Sequence, residues 1–285
     1  MILVVGGTGR LGGLVVRSLA AAGTPVRVLT RDAQPAAGLP AEVVVGDLRD
    51  AASLDAAVAG CTTVISAAHG FVGGRRDGPE AIDRAGNLSL IRAAARAGVG
   101  HVVLTSVHGA APDHPMSLHR AKYAAEQALR ESGLSWTIVR ATAYLETWIE
   151  IVGGKVGSGG PGLVFGRGDN PINFVSVVDV ARIVVAAVTD PGLRGELIEV
   201  GGPENVTLSD FAGRLGATRV KHIPRPALRA MSVLARPAAP AFARQARAAV
   251  VMDTTDMTFD AAALAHRFPQ VAWHRLSDVL EPSPA

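Results

Sequence analysis

Short apolar runs alternate with alanine-rich segments of helical periodicity over the first half of the chain. The runs are rich in Val, Ile and Leu and read ILVVG, PVRVLTR, AEVVVGD, TTVISAA, HVVLTS and SWTIVRA. Between them, the pattern predicts helices near residues 11–22, 51–59, 79–98 and 117–133. Strands that are apolar on both faces and separated by helices are typical of a parallel sheet with helices on each side. We therefore expect a doubly wound α/β fold up to about residue 142.

The pattern changes beyond residue 142. Residues 152–162 (VGGKVGSGGPG) predict a glycine-rich loop, and residues 174–188 (FVSVVDVARIVVAAV) predict one more strand that leads into a helix. Residues 220–285 are interrupted by prolines and predict a small, mostly helical lobe. The sequence thus predicts one domain from 1–142 with 174–200, and a second lobe from 143–173 and 201–285.

The charge balance of the whole chain is close to neutral. The formal net charge is +3, so nothing at this level favours a nucleic acid or a membrane surface as partner. Locally, the segment between Asp210 and Asp253 has no acidic residue and contains Arg214, Arg219, Lys221, Arg225, Arg229, Arg236, Arg244 and Arg247. Such a stretch indicates either a solvated helical face or a surface that attracts an anion or a membrane.

Cysteine content and hydropathy narrow the class of protein further. Cys61 is the single cysteine, which excludes an intramolecular disulfide and a cysteine-built metal site, and we expect no metal. No apolar run reaches the roughly 18 residues of a membrane span. The first run leads directly into a glycine-rich turn, which leaves no room for a signal peptide. These features predict a cytoplasmic protein.

A glycine-rich turn joins the first strand to the first helix. The segment VVGGTGRLGG fits two spacings, one through Gly7, Gly9 and Gly12 and one that starts at Gly6. In either spacing the glycines let the backbone turn sharply and approach a pyrophosphate, which the amino terminus of the helix then binds. Because strand, turn and helix occur together, the segment predicts a dinucleotide site in a Rossmann domain.

The end of the second strand indicates which dinucleotide binds. An acidic residue there would bind the ribose 2′-hydroxyl of NAD, whereas this chain has Thr30 and Arg31, with Arg10 in the glycine turn. Two guanidinium groups can pair with a 2′-phosphate, so NADP(H) is favoured. If Asp32 faced the ribose instead of Arg31, the preference would weaken or reverse.

With these features the chain resembles the atypical, NmrA-like branch of the short-chain dehydrogenase/reductase superfamily. The resemblance covers residues 1 to about 200. It rests on the segments GGTGRLG, VVVGDL, AGNLSLIRAAARAGVGHVVLTS, KYAAEQALRESGLSWTIVRAT and FVSVVDVA. The last 80 residues carry no recognisable motif, and we expect the second lobe to close over the carboxyl ends of the strands and to bind the substrate.

The resemblance also implies positions for the cofactor contacts. The phosphate loop would consist of Gly6, Thr8, Gly9, Arg10, Leu11 and Gly12. Arg31 would bind the adenosine 2′-phosphate, and Lys122 would hydrogen-bond the nicotinamide ribose. The adenine and the remaining cofactor would contact Asp47, Leu48, Ala67 and Ala68. For Asp47, a turn residue at the end of a strand is the alternative interpretation.

The usual catalytic tyrosine of this superfamily is missing. Its position, four residues before Lys122, holds Leu118, and Tyr123 is rotated by about 100° on a helix. His119 shares a helical face with Lys122 and is the first candidate for the proton donor, with a surface or cofactor-contacting histidine as the alternative. Ser106 stands where the superfamily has its catalytic serine, so the predicted catalytic residues are Lys122, Ser106 and His119. A helical ion pair with Lys122 is the simplest role for Glu126.

Several residues fall near the expected mouth of the site. Those that are apolar or aromatic are Phe71, Met116, Tyr144, Leu145 and Trp148. We expect contacts with the substrate from Phe71, His108, Met116, Tyr144 and Trp148. Ser106, His108 and Tyr144 are further candidates for the proton donor. Ordinary packing in the core or the lobe is the alternative for the apolar members of the set.

A function without the tyrosine is chemically reasonable if the acceptor stabilises its own charge. A quinone or a phenol-conjugated ketone can delocalise the oxyanion, so that positioning by the protein supplies most of the rate. The resemblance extends to quinone reductases and tyrosine-less ketoreductases. We therefore expect an NADPH-dependent oxidoreductase that acts on a bulky, aromatic small molecule, with an oligomer possible but not indicated. The alternatives are a redox sensor that binds NAD(P) and acts through a protein partner, and an isomerase or epimerase.

Overall fold

The computed structural model describes residues 1–154 and 156–280, which form two compact units. The first unit comprises Met1–Arg140 and Val180–Glu199, and the second comprises Ala141–Asp179 and Val200–Ala285. The strand predicted near residue 174 lies in the second unit, so the return to the first unit begins at Val180.

Twelve strands and eleven α-helices follow one another in the described part of the chain. The strands are β1 (Ile2–Val5), β2 (Val26–Thr30), β3 (Glu42–Val45), β4 (Thr63–Ser66), β5 (His101–Val107), β6 (Ser135–Ala141), β7 (Ala143–Tyr144), β8 (Gly162–Phe165), β9 (Pro171–Val175), β10 (Leu197–Val200), β11 (Asn205–Thr207) and β12 (Val220–Ile223). The helices are α1 (Arg10–Ala21), α2 (Ala51–Val58), α3 (Asn87–Arg96), α4 (Ser117–Arg130), α5 (Leu145–Gly153), α6 (Val177–Thr189), α7 (Leu208–Arg214), α8 (Arg225–Leu234), α9 (Pro240–Met252), α10 (Ala262–Arg267) and α11 (Leu276–Leu280).

A seven-stranded sheet forms the centre of the first unit. Its strand order is β10-β6-β5-β4-β1-β2-β3, and the pairs from β3 through β5 are parallel, with Val4 of β1 opposite Val28 of β2 and Ile65 of β4. The order reverses direction at β1, which is the signature of a doubly wound sheet. The predicted fold class is therefore confirmed.

The buried positions explain why these segments form strands and helices. All four residues of β1 are buried, and α1 buries one face through Leu11, Val15 and Leu19. Both patterns match a sheet that is covered by helices. Removing such apolar surface from water supplies the main driving force of folding.

The helix predicted over residues 79–98 is not uniform. Glu80–Gly86 form a π-helical stretch, and α3 begins only at Asn87. Gly86 fits closely against Leu48, because a Cβ atom at this glycine would lie 2.7 Å from Leu48 Cγ. π-helical turns are rare and often occur at functional sites, and this one contains the buried residue Asp83.

The second unit contains α5 and α7 to α11, which make up less than half of it, and it also contains two small sheets. One has the strand order β11-β9-β7 and the other pairs β12 with β8. Phe174 and Phe211 are almost fully buried in its core, with ring centroids 5.0 Å apart. None of the helices that the structure describes is long and apolar enough to cross a membrane.

Candidate active site

The glycine turn after β1 is shaped for close approach of the backbone. Gly6 has a φ of 85°, a conformation that favours glycine, and a Cβ atom there would lie 2.7 Å from Ala68 N. At Gly12, a Cβ atom would lie 2.2 Å from Gly6 O. A Cβ atom at Gly7 would lie 2.8 Å from the Cγ atoms of Val28. Both predicted spacings therefore contain glycines that are required for steric reasons.

The amino terminus of α1 fits the phosphate groups of a dinucleotide. Gly9 is the N-cap residue and has no side chain that could cap the helix, and its neighbours Thr8 and Arg10 are exposed. No acidic residue lies in the first turn of α1. Free N–H groups at a helix start, together with the helix dipole, favour an anion. The binding of a pyrophosphate by this turn stays a prediction.

Arg31 lies at a cavity next to the carboxyl ends of β2 and β3. The cavity has a volume of about 330 Å³ and is lined by Arg31, Val45, Gly46, Asp47, Asp50 and Ser53. Two arginines share one carboxylate beside it, since Asp77 lies 3.4 Å from Arg31 Nη1 and 2.5 Å from Arg49 Nη1. A carboxylate thus bridges two guanidinium groups where the sequence predicts a phosphate.

Asp32 does not compete with Arg31 for this cavity. Its Oδ1 atom accepts a hydrogen bond from the backbone N–H of Gln34 at 2.9 Å, which is a local turn contact. Arg31, in contrast, is among the residues that line the cavity. The geometry therefore favours Arg31 as the residue that meets the ribose.

Asp47 and Leu48 lie on the other side of the same region. Asp47 accepts hydrogen bonds from the backbone N–H and the Nε atom of Arg49, both at 2.9 Å, and the Arg49 guanidinium lowers the pKa of this carboxyl below its usual range. Leu48 is buried in the core of the first unit. Asp47 is therefore both a turn residue and a lining residue of the cavity.

Lys122 is buried at the carboxyl edge of the sheet. Its Nζ atom donates a hydrogen bond to the carbonyl oxygen of Ala68 at 3.1 Å, and it forms an ion pair with Asp83 Oδ1 at 3.1 Å. The other oxygen of Asp83 accepts a hydrogen bond from the backbone N–H of Gly70 at 2.8 Å. Lys122 thus connects α4 with the loop after β4, where Ala67 and Ala68 face the glycine turn.

The predicted ion pair between Lys122 and Glu126 is wrong. Glu126 lies one turn further along α4 and is fully buried, where it accepts a hydrogen bond from the Ser106 hydroxyl. The Arg140 guanidinium binds both of its carboxylate oxygens, Nε to Oε1 at 2.9 Å and Nη2 to Oε2 at 2.6 Å. Tertiary contacts with β5 and β6 have replaced the local helical pair.

His119 is packed into the first unit and held neutral. It is 8% exposed, and its ring stacks on His114 with the centroids 3.9 Å apart. Burial, with a smaller effect from His114 and other positive neighbours, lowers the pKa of His119 to about 3. Its Nδ1 atom has no hydrogen-bond partner among the described residues. A histidine in this state carries no proton that it could give up as an imidazolium at neutral pH.

His108 lies two residues beyond Ser106, directly after β5. Its Nδ1 atom is 2.6 Å from Glu199 Oε2, and the side chains of His108 and Glu199 are 38% and 32% exposed. Arg140 Nη1 contacts the other oxygen of Glu199 at 3.2 Å. His108 is thus the histidine at this edge of the sheet that has a carboxylate partner and access to water.

The remaining predicted substrate residues divide between the units. In the first unit, Phe71 is half-buried in the loop after β4, and Met116 is buried just before α4. In the second unit, Trp148 packs edge-on against Phe165 and Phe174, which fits the packing alternative. Burial, with the nearby Glu146, raises the pKa of Tyr144 above its usual range. Their roles as substrate contacts stay predictions.

Sequence reasoning missed five charged residues of this site. They are Arg49, Asp77, Asp83, Arg140 and Glu199. For two of them the sequence contains a signal, because Arg140 and Glu199 each stand within a mainly apolar strand. A charged side chain in a buried strand requires a partner of opposite charge. The partner itself could not be identified without the tertiary structure.

The fold and the site together define a protein that binds a nicotinamide dinucleotide. A family described as NAD(P)H-binding matches residues 6–191. The chain is 33% identical over 220 residues to an NAD(P)H azoreductase from Xenophilus azovorans, covering 76% of this chain and 73% of the relative. It is also 32% identical over 216 residues to (4-alkanoyl-5-oxo-2,5-dihydrofuran-3-yl)methyl phosphate reductase from Streptomyces griseus, covering 75% and 72%.

A solved structure supports the fold over nearly the whole chain. An NADPH-dependent quinone oxidoreductase from Escherichia coli, in complex with NADPH, aligns with a TM-score of 0.78 at 22% identity and covers 98% of each chain. The chain belongs to the NAD(P)H-binding family. The expected NAD(P)H cofactor and the expected oxidoreductase class are confirmed.

Proposed function

We propose that this protein is an NADPH-dependent reductase that transfers hydride to a ketone or quinone carbonyl of a bulky, aromatic small molecule. Bound NADPH supplies the hydride. The chain binds the cofactor, orients it and holds the acceptor. It does so without the superfamily's catalytic tyrosine, since the position four residues before Lys122 holds Leu118.

The preference for NADPH rests on the charges at the adenosine end. Arg31 lines the cavity after β2 and β3, and Arg49 lies beside it on the shared carboxylate of Asp77. Arginine pairs with phosphate oxygens in a planar, forked geometry, and two such groups suit a 2′-phosphate. Asp32, which would favour NAD, is engaged by its own turn.

Lys122 is the observation that carries the assignment of a reductase. A buried lysine is costly unless it is paired, and this one is paired with Asp83 at the edge where the nicotinamide ribose is expected. That arrangement suits a group that positions the nicotinamide. The Ser106 hydroxyl donates a hydrogen bond to Glu126 of α4. This contact holds Ser106 near the edge of the sheet where Lys122 lies.

The class of acceptor follows from the missing tyrosine and from the relatives. One relative is an azoreductase, and the other reduces an acyl-oxo-dihydrofuran phosphate. Both names describe conjugated acceptors that spread developing negative charge. Such an acceptor depends less on an acidic side chain than an aliphatic ketone does.

The test is NADPH oxidation with a matched panel of acceptors. We expect turnover with quinones and hydroxyaryl ketones and little turnover with aliphatic ketones. With the same acceptor, turnover should be slower with NADH than with NADPH. Lys122→Met should abolish turnover, whereas Lys221→Met, which changes an exposed lysine of the second unit, should leave it unchanged. Tight NADPH binding without reduction of any acceptor would favour the alternative function of a redox sensor that acts through a protein partner.

A further inference from the structure

His108, Glu199, Arg140, Glu126 and Ser106 form one connected polar network. From the hydroxyl of Ser106 it runs to Glu126, on to Arg140, then to Glu199 and finally to Nδ1 of His108. Its members come from β5, α4, β6, β10 and the turn after β5. Ser106 and Glu126, at one end of the network, are buried, and the His108 side chain at the other end is 38% exposed.

The charged groups of this network do not cancel one another. It contains two carboxylates, Glu126 and Glu199, and one guanidinium, that of Arg140. As ionised groups these three sum to one negative charge. The 2.6 Å contact places Nδ1 of His108 against Glu199 Oε2, so that the Nδ1–H group donates to a carboxylate.

We propose that His108 is the catalytic acid of this reductase and that Glu199 is its positioning residue. This inference rests on the proposed function. In the reaction, the carbonyl carbon receives the hydride that NADPH supplies, and the carbonyl oxygen receives the proton from Nε2 of His108. The carbonyl becomes an alcohol, NADPH becomes NADP⁺, and the exposed imidazole regains a proton from water.

The position of His108 in the fold supports this role. Parallel strands of a doubly wound sheet present their carboxyl ends to the ligand, and His108 follows the carboxyl end of β5 directly. Ser106 lies at the end of the same strand, and Lys122 lies on the helix that contacts it. Glu199 holds Nδ1, so the acidic proton stands on the opposite nitrogen of the ring.

The neighbouring groups distinguish His108 from His119. Glu199 on β10 contacts His108, and Arg140 on β6 and Glu126 on α4 continue the network from Glu199. His119 on α4 interacts electrostatically with His108 and stacks on His114, in the loop before α4. Burial keeps His119 neutral, so it adds no positive charge beside His108. Among the described residues, Nδ1 of His119 has no hydrogen-bond partner, whereas Nδ1 of His108 contacts the Glu199 carboxylate.

The experiment compares pH profiles of kcat/KM for a hydroxyaryl ketone in four proteins. They are the wild type, His108→Gln, Glu199→Gln and His266→Gln, the last of which changes an exposed histidine on α10. In the wild type, kcat/KM should fall as the pH rises and the acid loses its proton. His108→Gln should lose about 100-fold at low pH and show no such limb. His266→Gln should match the wild type.

Glu199→Gln tests the positioning role separately. Removing the charged group that orients Nδ1 should lower kcat, while the KM for NADPH stays at the wild-type value. Glu199→Asp should restore part of kcat. A readout without turnover is the ¹⁵N chemical shift of His108 Nδ1, which should change in Glu199→Gln because this nitrogen loses its carboxylate partner.

The outcomes separate this inference from the proposed function. If the wild type turns over and His108→Gln keeps the same rate and the same pH limb, His108 is not the acid. An unchanged kcat and an unchanged Nδ1 chemical shift in Glu199→Gln would overturn the positioning role. If the wild type reduces no acceptor, the proposed function fails, and the catalytic role of His108 fails with it.

Discussion

The ammonium group of Lys122 lies 3.1 Å from Asp83 Oδ1, and the two side chains are 3% and 0% exposed. The pair joins α4 to the π-helical stretch Glu80–Gly86. Because neither charge can reach water, each depends on the other. This relationship fixes the lysine that we assign to the cofactor, and it affects every experiment that changes either residue.

Single substitutions in this pair should destabilise the protein strongly. Lys122→Met leaves the Asp83 carboxylate buried without a counter-charge, which costs about 3 to 5 kcal/mol of unfolding free energy. The double variant Lys122→Met/Asp83→Asn should recover most of that loss, because no unpaired charge stays buried. Urea unfolding of the two single variants and the double variant measures the coupling. Additive losses would show that the two groups do not interact.

The glycine turn offers a matched pair of substitutions. Gly12→Ala would place a methyl group 2.2 Å from Gly6 O, so the turn must open and cofactor binding should be lost. Gly13→Ala meets its nearest atom, Gly7 O, at 3.5 Å and should bind NADPH normally. It should also add up to about 1 kcal/mol of stability through helix propensity. Fluorescence titration with NADPH tests both variants, and normal binding by Gly12→Ala would refute the steric argument.

The arginines near the cavity should set the choice between NADPH and NADH. Arg31→Ala removes a charged contact to the 2′-phosphate, so the Kd for NADPH should rise about 10- to 100-fold while the Kd for NADH changes little. Asp77→Asn should tighten NADPH binding by a few-fold, since its carboxylate competes for Arg31 and Arg49. Arg84→Ala, at an exposed helical ion pair with Glu80, serves as the control. Equal losses for both cofactors in Arg31→Ala would contradict the assignment.

Two buried histidines should make the protein sensitive to mild acid. Burial lowers the pKa of His119 to about 3 and that of His101 to about 4. The unfolded chain takes up protons below about pH 6.5, where the folded chain does not, so stability falls as the pH falls from about 6.5. For His119 the loss is about 2 kcal/mol at about pH 5. In urea unfolding, His119→Leu should lose less stability than the wild type between neutral pH and about pH 5, and an equal loss would refute the prediction.

The sequence predicted the parts of this protein that depend on local pattern. The runs of Val, Ile and Leu identified the strands of the central sheet, and the glycine spacing after the first run identified the phosphate turn. Both signals are encoded within about ten neighbouring residues, where steric rules and periodicity decide the structure.

The parts that sequence reasoning missed depend on contacts between distant segments. Glu126 was assigned to Lys122 because the two lie one helical turn apart, whereas Asp83, 39 positions away in the chain, is the actual partner. Likewise, the contact between His108 and Glu199 joins residues 91 positions apart. Apart from the strand predicted near residue 174, which is β9, the strands of the small sheets were missed because they have only two to four residues.

The most direct measurement of the central claim follows the hydride itself. NADPH deuterated at both transferable positions of C4 is incubated with the protein and a quinone or hydroxyaryl ketone, and the product is analysed by mass spectrometry. We expect one deuterium on the former carbonyl carbon of the ketone product, with one NADP⁺ formed for each molecule reduced. A ketone product without deuterium, or bound NADPH that stays unoxidised with every acceptor, would contradict the assignment as a reductase.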